Sequence, residues 1–161
     1  HAALISKIGE ESFLQAHGHS ASKEDIDAYV AKTYTEAVVA IELSNPNNLY
    51  HLIYFEEKVA GYSKIVLNQS NENIDSKNIT KLERFYLLKE FYGQNIGAKL
   101  FEFNVALSKN QLQAGMWLYV WVENEKAIKF YTKNGFKTVG SYDFHLSETH
   151  TNPNHVLFLK F

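Results

Sequence analysis

This sequence predicts a layered α/β (α+β) domain with a partly parallel sheet, and three observations carry that expectation. In the second half of the chain, strand-like and helix-like stretches alternate: KLERFYLL (81 to 88), then a glycine-bearing loop and helix in KEFYGQNIGAKLFEFNVALSKN, then AGMWLYVWV (114 to 122), then VENEKAIKFYTKNGF. Alternation of this kind buries a parallel sheet under helices. The chain has 161 residues, of which 45 % are hydrophobic and 21 % charged, an ordinary globular balance. At this length about 70 % of the unfolded chain's surface is buried on folding, so no staple is required, and the chain carries no cysteine to make one.

The elements follow in order. Residues 21 to 43 read as helix, with Ser22 as N-cap, Asp25 completing an acidic capping box, and Ile26, Tyr29, Val30 and Tyr34 at helical spacing. Asn45-Pro46-Asn47-Asn48 is a turn signal. LYHLIYFEEKVAGYSKIVL then reads as two strands joined around Glu56-Glu57-Lys58. Residues 68 to 80 are polar and aperiodic, a surface loop. In the helix after the glycine loop, Leu100, Phe103 and Leu107 share a face. KTVGSYDFHL and HVLFLKF close the chain as strands, and Pro153 with its Asn neighbours reads as the turn between them.

Composition excludes several functions. A formal net charge of −2 lacks the basic stripe of a nucleic-acid binder. Without cysteine there is no disulfide, thiolate metal site or cysteine nucleophile. No run approaches the roughly 20 apolar residues of a membrane span, and no charged-then-apolar leader opens the sequence. These features fit a cytoplasmic protein. Seven histidines are present, yet none falls at a metal-binding helical spacing such as HExxH, so no metal is expected.

The loop Tyr92-Gly93-Gln94-Asn95-Ile96-Gly97-Ala98-Lys99 joins a strand to a helix. A glycine loop at a helix start presents free main-chain N–H groups and the positive end of the dipole, an arrangement that receives phosphate. Gly93 and Gly97 tolerate positive φ, Asn95 does so better than most residues, and Lys99 adds a cation. The plain alternative is an ordinary strand-to-helix connection, and neither GxxxxGK[ST] nor GxGxxG is present.

In VENEKAIKFYTKNGF, Asn124 is an N-cap candidate, while Ala127, Ile128, Phe130 and Tyr131 gather on one arc of the helix. Lys126, Lys129, Thr132 and Lys133 take the other side. Gly135 suits a left-handed C-terminal position, with Phe136 as its hydrophobic contact. By itself Tyr131 reads as a core aromatic.

Taken together, the glycine loop and the pattern Asn-x-x-Ala-x-x-Phe-Tyr-x-x-x-Gly-Phe resemble the GCN5-related N-acetyltransferase (GNAT) superfamily. The resemblance implies one domain over residues 1–161, with a mixed sheet of about six to seven strands flanked by about four helices. It implies acetyl-CoA as co-substrate. The pyrophosphate would lie on Tyr92, Gly93, Gln94, Asn95, Ile96, Gly97, Ala98 and Lys99. The pantetheine arm would pass Tyr86, Leu87, Leu88, Asn124 and Ala127. Tyr92 and Asn95 depart from the family's Arg/Gln and Gly, which removes a cation that Lys99 or Lys133 would have to replace.

The implied chemistry assigns Tyr131 to give the leaving thiolate a proton or a hydrogen bond, and a main-chain N–H near Leu87 or Leu88 to the developing oxyanion. Glu83 would be the base, accepting through water, because an alkyl amine is only about 0.04 % neutral at pH 7. The competing reading of Glu83 is an ion pair with Arg84 or Lys81 at a strand end. His17, His19, Tyr34 and Asp143 are the expected acceptor contacts, and Glu36 and Glu42 are further acids that the sequence does not locate. Several segments look most like bacterial spermidine/spermine-type enzymes, implying a small-molecule amine, a polyamine among the candidates, and a homodimer as one assembly. The alternatives are a non-catalytic acetyl-CoA-binding regulatory module of the same fold and an unrelated scaffold binding another phosphate ligand.

Overall fold

The computed structural model describes residues 1–161. The chain runs α1 (Ala2–His17), α2 (Lys23–Thr33), α3 (Glu36–Ser44), β1 (Asn48–Phe55), β2 (Lys58–Val66), β3 (Thr80–Leu87), a short 3-10 turn at Lys89–Phe91, α4 (Ile96–Asn110), β4 (Gly115–Trp121), α5 (Glu125–Lys133), β5 (Lys137–His145) and β6 (Thr151–Lys160). The six strands form one mixed sheet in the order β1-β2-β3-β4-β6-β5. No helix is long and apolar enough to cross a membrane.

One element was not read from the sequence, and two expectations need correction. Helix α1 was not legible as a helix: its apolar positions Ile5, Ile8 and Phe13 are sparse, and Gly9 and Ser12 share the buried face with them. The single helix expected over 21 to 43 is two. Its start is as anticipated, since Ser22 Oγ accepts from Asp25 N at 3.2 Å. The chain breaks at Tyr34-Thr35, and Thr35 becomes a second N-cap, its hydroxyl accepting from Val38 N. Pro153 is not a turn residue. It lies inside β6 opposite Asp143, one position past the last β4–β6 pair, Trp121–Asn154. No β4 partner there requires the N–H that proline lacks. The turn falls at residues 146 to 150 instead.

The sheet has two covered faces. Under α4 and α5 lies the largest core cluster, with Ile65, Leu82, Phe101, Met116, Leu118 and Val120, into which Tyr131 and Phe136 project. Each such side chain contributes about 1.5–3 kcal/mol by burial. The buried line of α4 is Ile96, Leu100, Phe101, Asn104 and Ser108, whereas Phe103 is half-exposed. Asn104 is accommodated because it donates to Ser63 Oγ on β2 at 2.9 Å and to Leu100 O at 2.8 Å. On the opposite face α1, α2 and α3 cover Phe13, Ile26, Tyr34, Val39 and Tyr62.

Two irregularities in β3 set up the site. First, β3 and β4 are parallel but pair only at Thr80–Met116 and Lys81–Trp117. Beyond those pairs the strands part. Second, the β2–β3 register jumps between Lys64–Arg84 and Ile65–Leu82, leaving Glu83 as the extra residue of a β-bulge. Leu82 and Phe85 therefore both face α4 and α5, while Glu83 and Arg84 both turn to the other face.

Candidate active site

A cavity of about 350 Å³ passes through the sheet where β3 and β4 part. From the α4/α5 side it is lined by Leu82, Phe85, Leu118, Val120, Ala127 and Tyr131. From the other side it is lined by Glu83, Arg84, Tyr86, Tyr119 and Trp121. Phe13, His17, Tyr29, Tyr34, Phe144 and Leu146 close that end.

The glycine loop lies at the start of α4. Gly93 (φ 83°) and Asn95 (φ 57°) are both left-handed. Gly97 is not, and its smallness serves another purpose: a Cβ there would sit 3.1 Å from Leu87 Cδ1, so glycine lets α4 close on the end of β3. Asn95 is the N-cap, but its side chain makes no capping bond. The N–H groups of Gly93, Gln94, Asn95, Ile96, Gly97 and Ala98 have no main-chain acceptor. Consecutive free donors at the positive end of a 15-residue helix fit a diphosphate.

The cations at this loop differ from expectation. Lys99 lines a separate groove with His51 and Phe103. Lys133 is the last residue of α5, about 10 Å along the helix from its first turn. Lys126, which the helical wheel assigned to solvent, instead places its Nζ 4.0 Å from the Tyr92 ring centroid. It thus brings a charge to the position where the family's Arg or Gln is missing. Only the packing of α5 beside the loop reveals this.

Asn124 caps α5 by accepting from Ala127 N at 3.2 Å, and the left-handed Gly135 ends that helix. Between these points Tyr131 is 7 % exposed. Its phenol is held protonated well above the usual range, chiefly by burial and secondarily by Tyr86. Its hydroxyl is not among the sealed, unpartnered polar atoms, so it opens to the cavity. At the parted strand end, Leu88 N donates to Ala60 O at 2.9 Å and is unavailable to a ligand. Alternation along the antiparallel β2–β3 ladder then turns the Leu87 N–H to the opposite edge, toward the gap.

The other end of the cavity is built from charges and rings. Glu83 does not pair with Arg84. Lys64, with only 4 % of its side chain exposed, bridges Glu83 at 2.6 Å and Glu42 at 3.0 Å. Lys81 lies 3.4 Å from the other Glu83 oxygen. Arg84 binds Glu42 at 2.8 Å and Tyr50 Oη at 2.7 Å. Burial by itself would raise the Glu83 carboxyl, but Lys81, Lys64 and Arg84 together outweigh it and hold the group below the usual carboxylate range. Lys64 was missed because nothing local to it in sequence marks it; the β2–β3 register alone sets it opposite the bulge.

Of the expected acceptor contacts, His17 and Tyr34 line the cavity. Burial, aided by His19, lowers His17 to a pKa of about 4, so it is neutral at pH 7. His19 lies off the wall, exposed, with its ring 5.5 Å from that of Trp121. Asp143 and Glu36 are exposed and off the wall.

Comparison with known proteins shows the family and the fold. A family model described as the acetyltransferase (GNAT) family covers residues 10–136. An uncharacterized N-acetyltransferase from the pepI 3′ region of Lactobacillus delbrueckii subsp. lactis is 30 % identical over 142 residues, 88 % of this chain and 82 % of that protein. An uncharacterized N-acetyltransferase of Mycobacterium tuberculosis is 24 % identical over 148 residues, 92 % and 90 % of the two chains. Among solved structures, the PaiA N-acetyltransferase of Thermoplasma acidophilum in complex with coenzyme A superposes with a TM-score of 0.74 at 22 % identity, over 99 % of this chain and 91 % of that one. The ribosomal-protein-S18-alanine N-acetyltransferase of Escherichia coli gives 0.63 at 17 %, over 79 % and 77 %. The chain is an acyltransferase and belongs to the acetyltransferase (GNAT) family.

Proposed function

We propose that residues 1–161 form one domain that transfers the acetyl group of acetyl-CoA to a primary amine by direct attack on the thioester. The observation that carries this reading is the run of free main-chain N–H groups at residues 93 to 98, beside a gap in the sheet walled by Tyr131. The loop N–H groups and Lys126 hold the diphosphate. The pantetheine arm runs between β3 and β4, past Tyr86, Leu87, Asn124 and Ala127, so that the thioester lies near Tyr131.

Each half of the reaction then has a group to serve it. Glu83, ionised, draws the proton from the incoming ammonium through water. Its two lysine partners keep it charged but weaken it as a base, so it takes up the proton transiently. The amine nitrogen bonds to the acetyl carbon, and the Leu87 N–H donates to the oxygen as charge develops there. The carbon–sulfur bond breaks, Tyr131, protonated at neutral pH, donates a hydrogen bond to the departing sulfur, and the second proton of the amine nitrogen passes through water to that sulfur, leaving a neutral amide and the thiol. A raised phenol pKa keeps the proton on Tyr131, so it serves the sulfur as a hydrogen-bond donor and does not give the proton up.

Replacing Tyr131 by Phe tests this. It should lower kcat about 100-fold while the Kd for acetyl-CoA stays within about twofold, because the diphosphate grip is elsewhere. A wild-type rate in that variant removes Tyr131 from the mechanism. The non-catalytic alternative requires that acetyl-CoA raise Tm while no amine releases CoA. Among primary amines the sequence resemblance points to polyamines, but the chemistry of the cavity wall argues for a different member of the class.

A further inference from the structure

We propose that the acceptor is a primary amine carrying a single positive charge on an aromatic body, not a polyamine; this rests on the transferase reading above. Glu83 is the only carboxylate on the cavity wall, and it already has two lysine partners. The neighbouring acid, Glu42, is engaged by Arg84 and Lys64. Three cations, Lys64, Lys81 and Arg84, thus share two carboxylates, and two of those cations, Lys81 and Arg84, face the cavity themselves. A second or third ammonium in this chamber would lose its water and find no anion, and an unpaired buried charge is costly. One ammonium is different. It meets Glu83 and leaves as an uncharged amide.

What the chamber offers in abundance is aromatic surface. Phe13 packs 4.8 Å from Tyr29, and Tyr29 lies 5.8 Å from Phe144. Tyr34 and Tyr86 extend this wall toward Glu83, and His17, held neutral, adds another uncharged ring. Rings in contact at these separations form one continuous wall, against whose free faces and edges an aryl group can lie. A flexible polycation would gain little from those walls except where a ring face meets an ammonium. Charge and shape therefore select the same acceptor: one amine on a short arm, with a ring behind it.

The experiment measures CoA release with 2-phenylethylamine and with spermidine under saturating acetyl-CoA at neutral pH. The expected result is a kcat/KM for 2-phenylethylamine at least about tenfold above that for spermidine. Equal or higher kcat/KM for spermidine overturns this inference and leaves N-acetyl transfer standing. No CoA release from any amine, with acetyl-CoA still raising Tm, overturns both. Phe144→Glu supplies the second carboxylate that a polyamine needs, and should move the spermidine preference upward by about tenfold. Equal loss of both activities in that variant would mean Phe144 is merely structural, and would count against the proposal.

Discussion

The two parts of the candidate site are built in opposite ways. The loop that opens α4 is main chain: free N–H groups at 93 to 98, two left-handed residues and a glycine that admits close approach. Side chains matter little there, which is why Tyr92 and Asn95 can stand where the family usually has other residues and still leave the cradle intact. The α1/α2 end of the cavity is side chain: an ion network on a β-bulge, enclosed by rings from five separate parts of the chain. A site made of backbone tolerates changes of side chain but is sensitive to distortion of φ and ψ. A site made of paired charges and packed rings is the reverse.

Four variants would break or sharpen this contrast. The largest effect is expected from Glu42→Ala. It strips Arg84 and Lys64 of a shared partner in a mostly buried network, and should cost about 3 kcal/mol, lowering Tm by roughly 6–12 °C in a thermal melt. Next is His17→Phe. The unfolded chain protonates His17 below pH 6.5, but the folded chain refuses the proton until about pH 4. Stability should therefore fall as pH drops through that window. The variant should remove about 3 kcal/mol of that fall, measured by denaturant unfolding at pH 7 and at pH 4. A wild-type pH dependence in the variant would mean that His17 is not the group responsible.

The other two act on the main-chain end. Gly93→Val forces a β-branched residue to φ 83° and should raise the KM for acetyl-CoA about tenfold. Its added Cβ meets nothing within 4 Å, so the loss of Tm should come from backbone strain alone, about 1–3 kcal/mol, and be no larger than in Glu42→Ala. Lys126→Ala should be mildest, with about a threefold loss in acetyl-CoA affinity by calorimetry that disappears in high salt. If Lys126→Ala proved worse than Gly93→Val, the main chain would not be the principal grip.

The parts of the site that were legible in the sequence are those written in local signals. Gly93 and Asn95 announce left-handed backbone, Asn124 announces a cap, and Gly135-Phe136 announces a helix end; each has that role in the structure. The inward position of Tyr131 follows from helical spacing. Lys64, the bulge at Glu83 and the reach of Lys126 to Tyr92 were not legible, because each depends on residues that meet only through strand register or helix packing. The half-exposure of Phe103 and the solvent position of Asp143 were missed for the same reason: periodicity says which residues share a face, not what covers that face.

The sequence by itself therefore determined the alternation of strands and helices, the glycine loop and the inward tyrosine, since backbone propensity and side-chain period act over a few residues. Only the tertiary structure decided where β3 and β4 part, which charges surround Glu83 and which rings line the acceptor end. Most of those contacts join positions distant in the chain, such as Lys64 with Glu83 and Tyr29 with Phe144, and their energies exist only once the chain has closed around them.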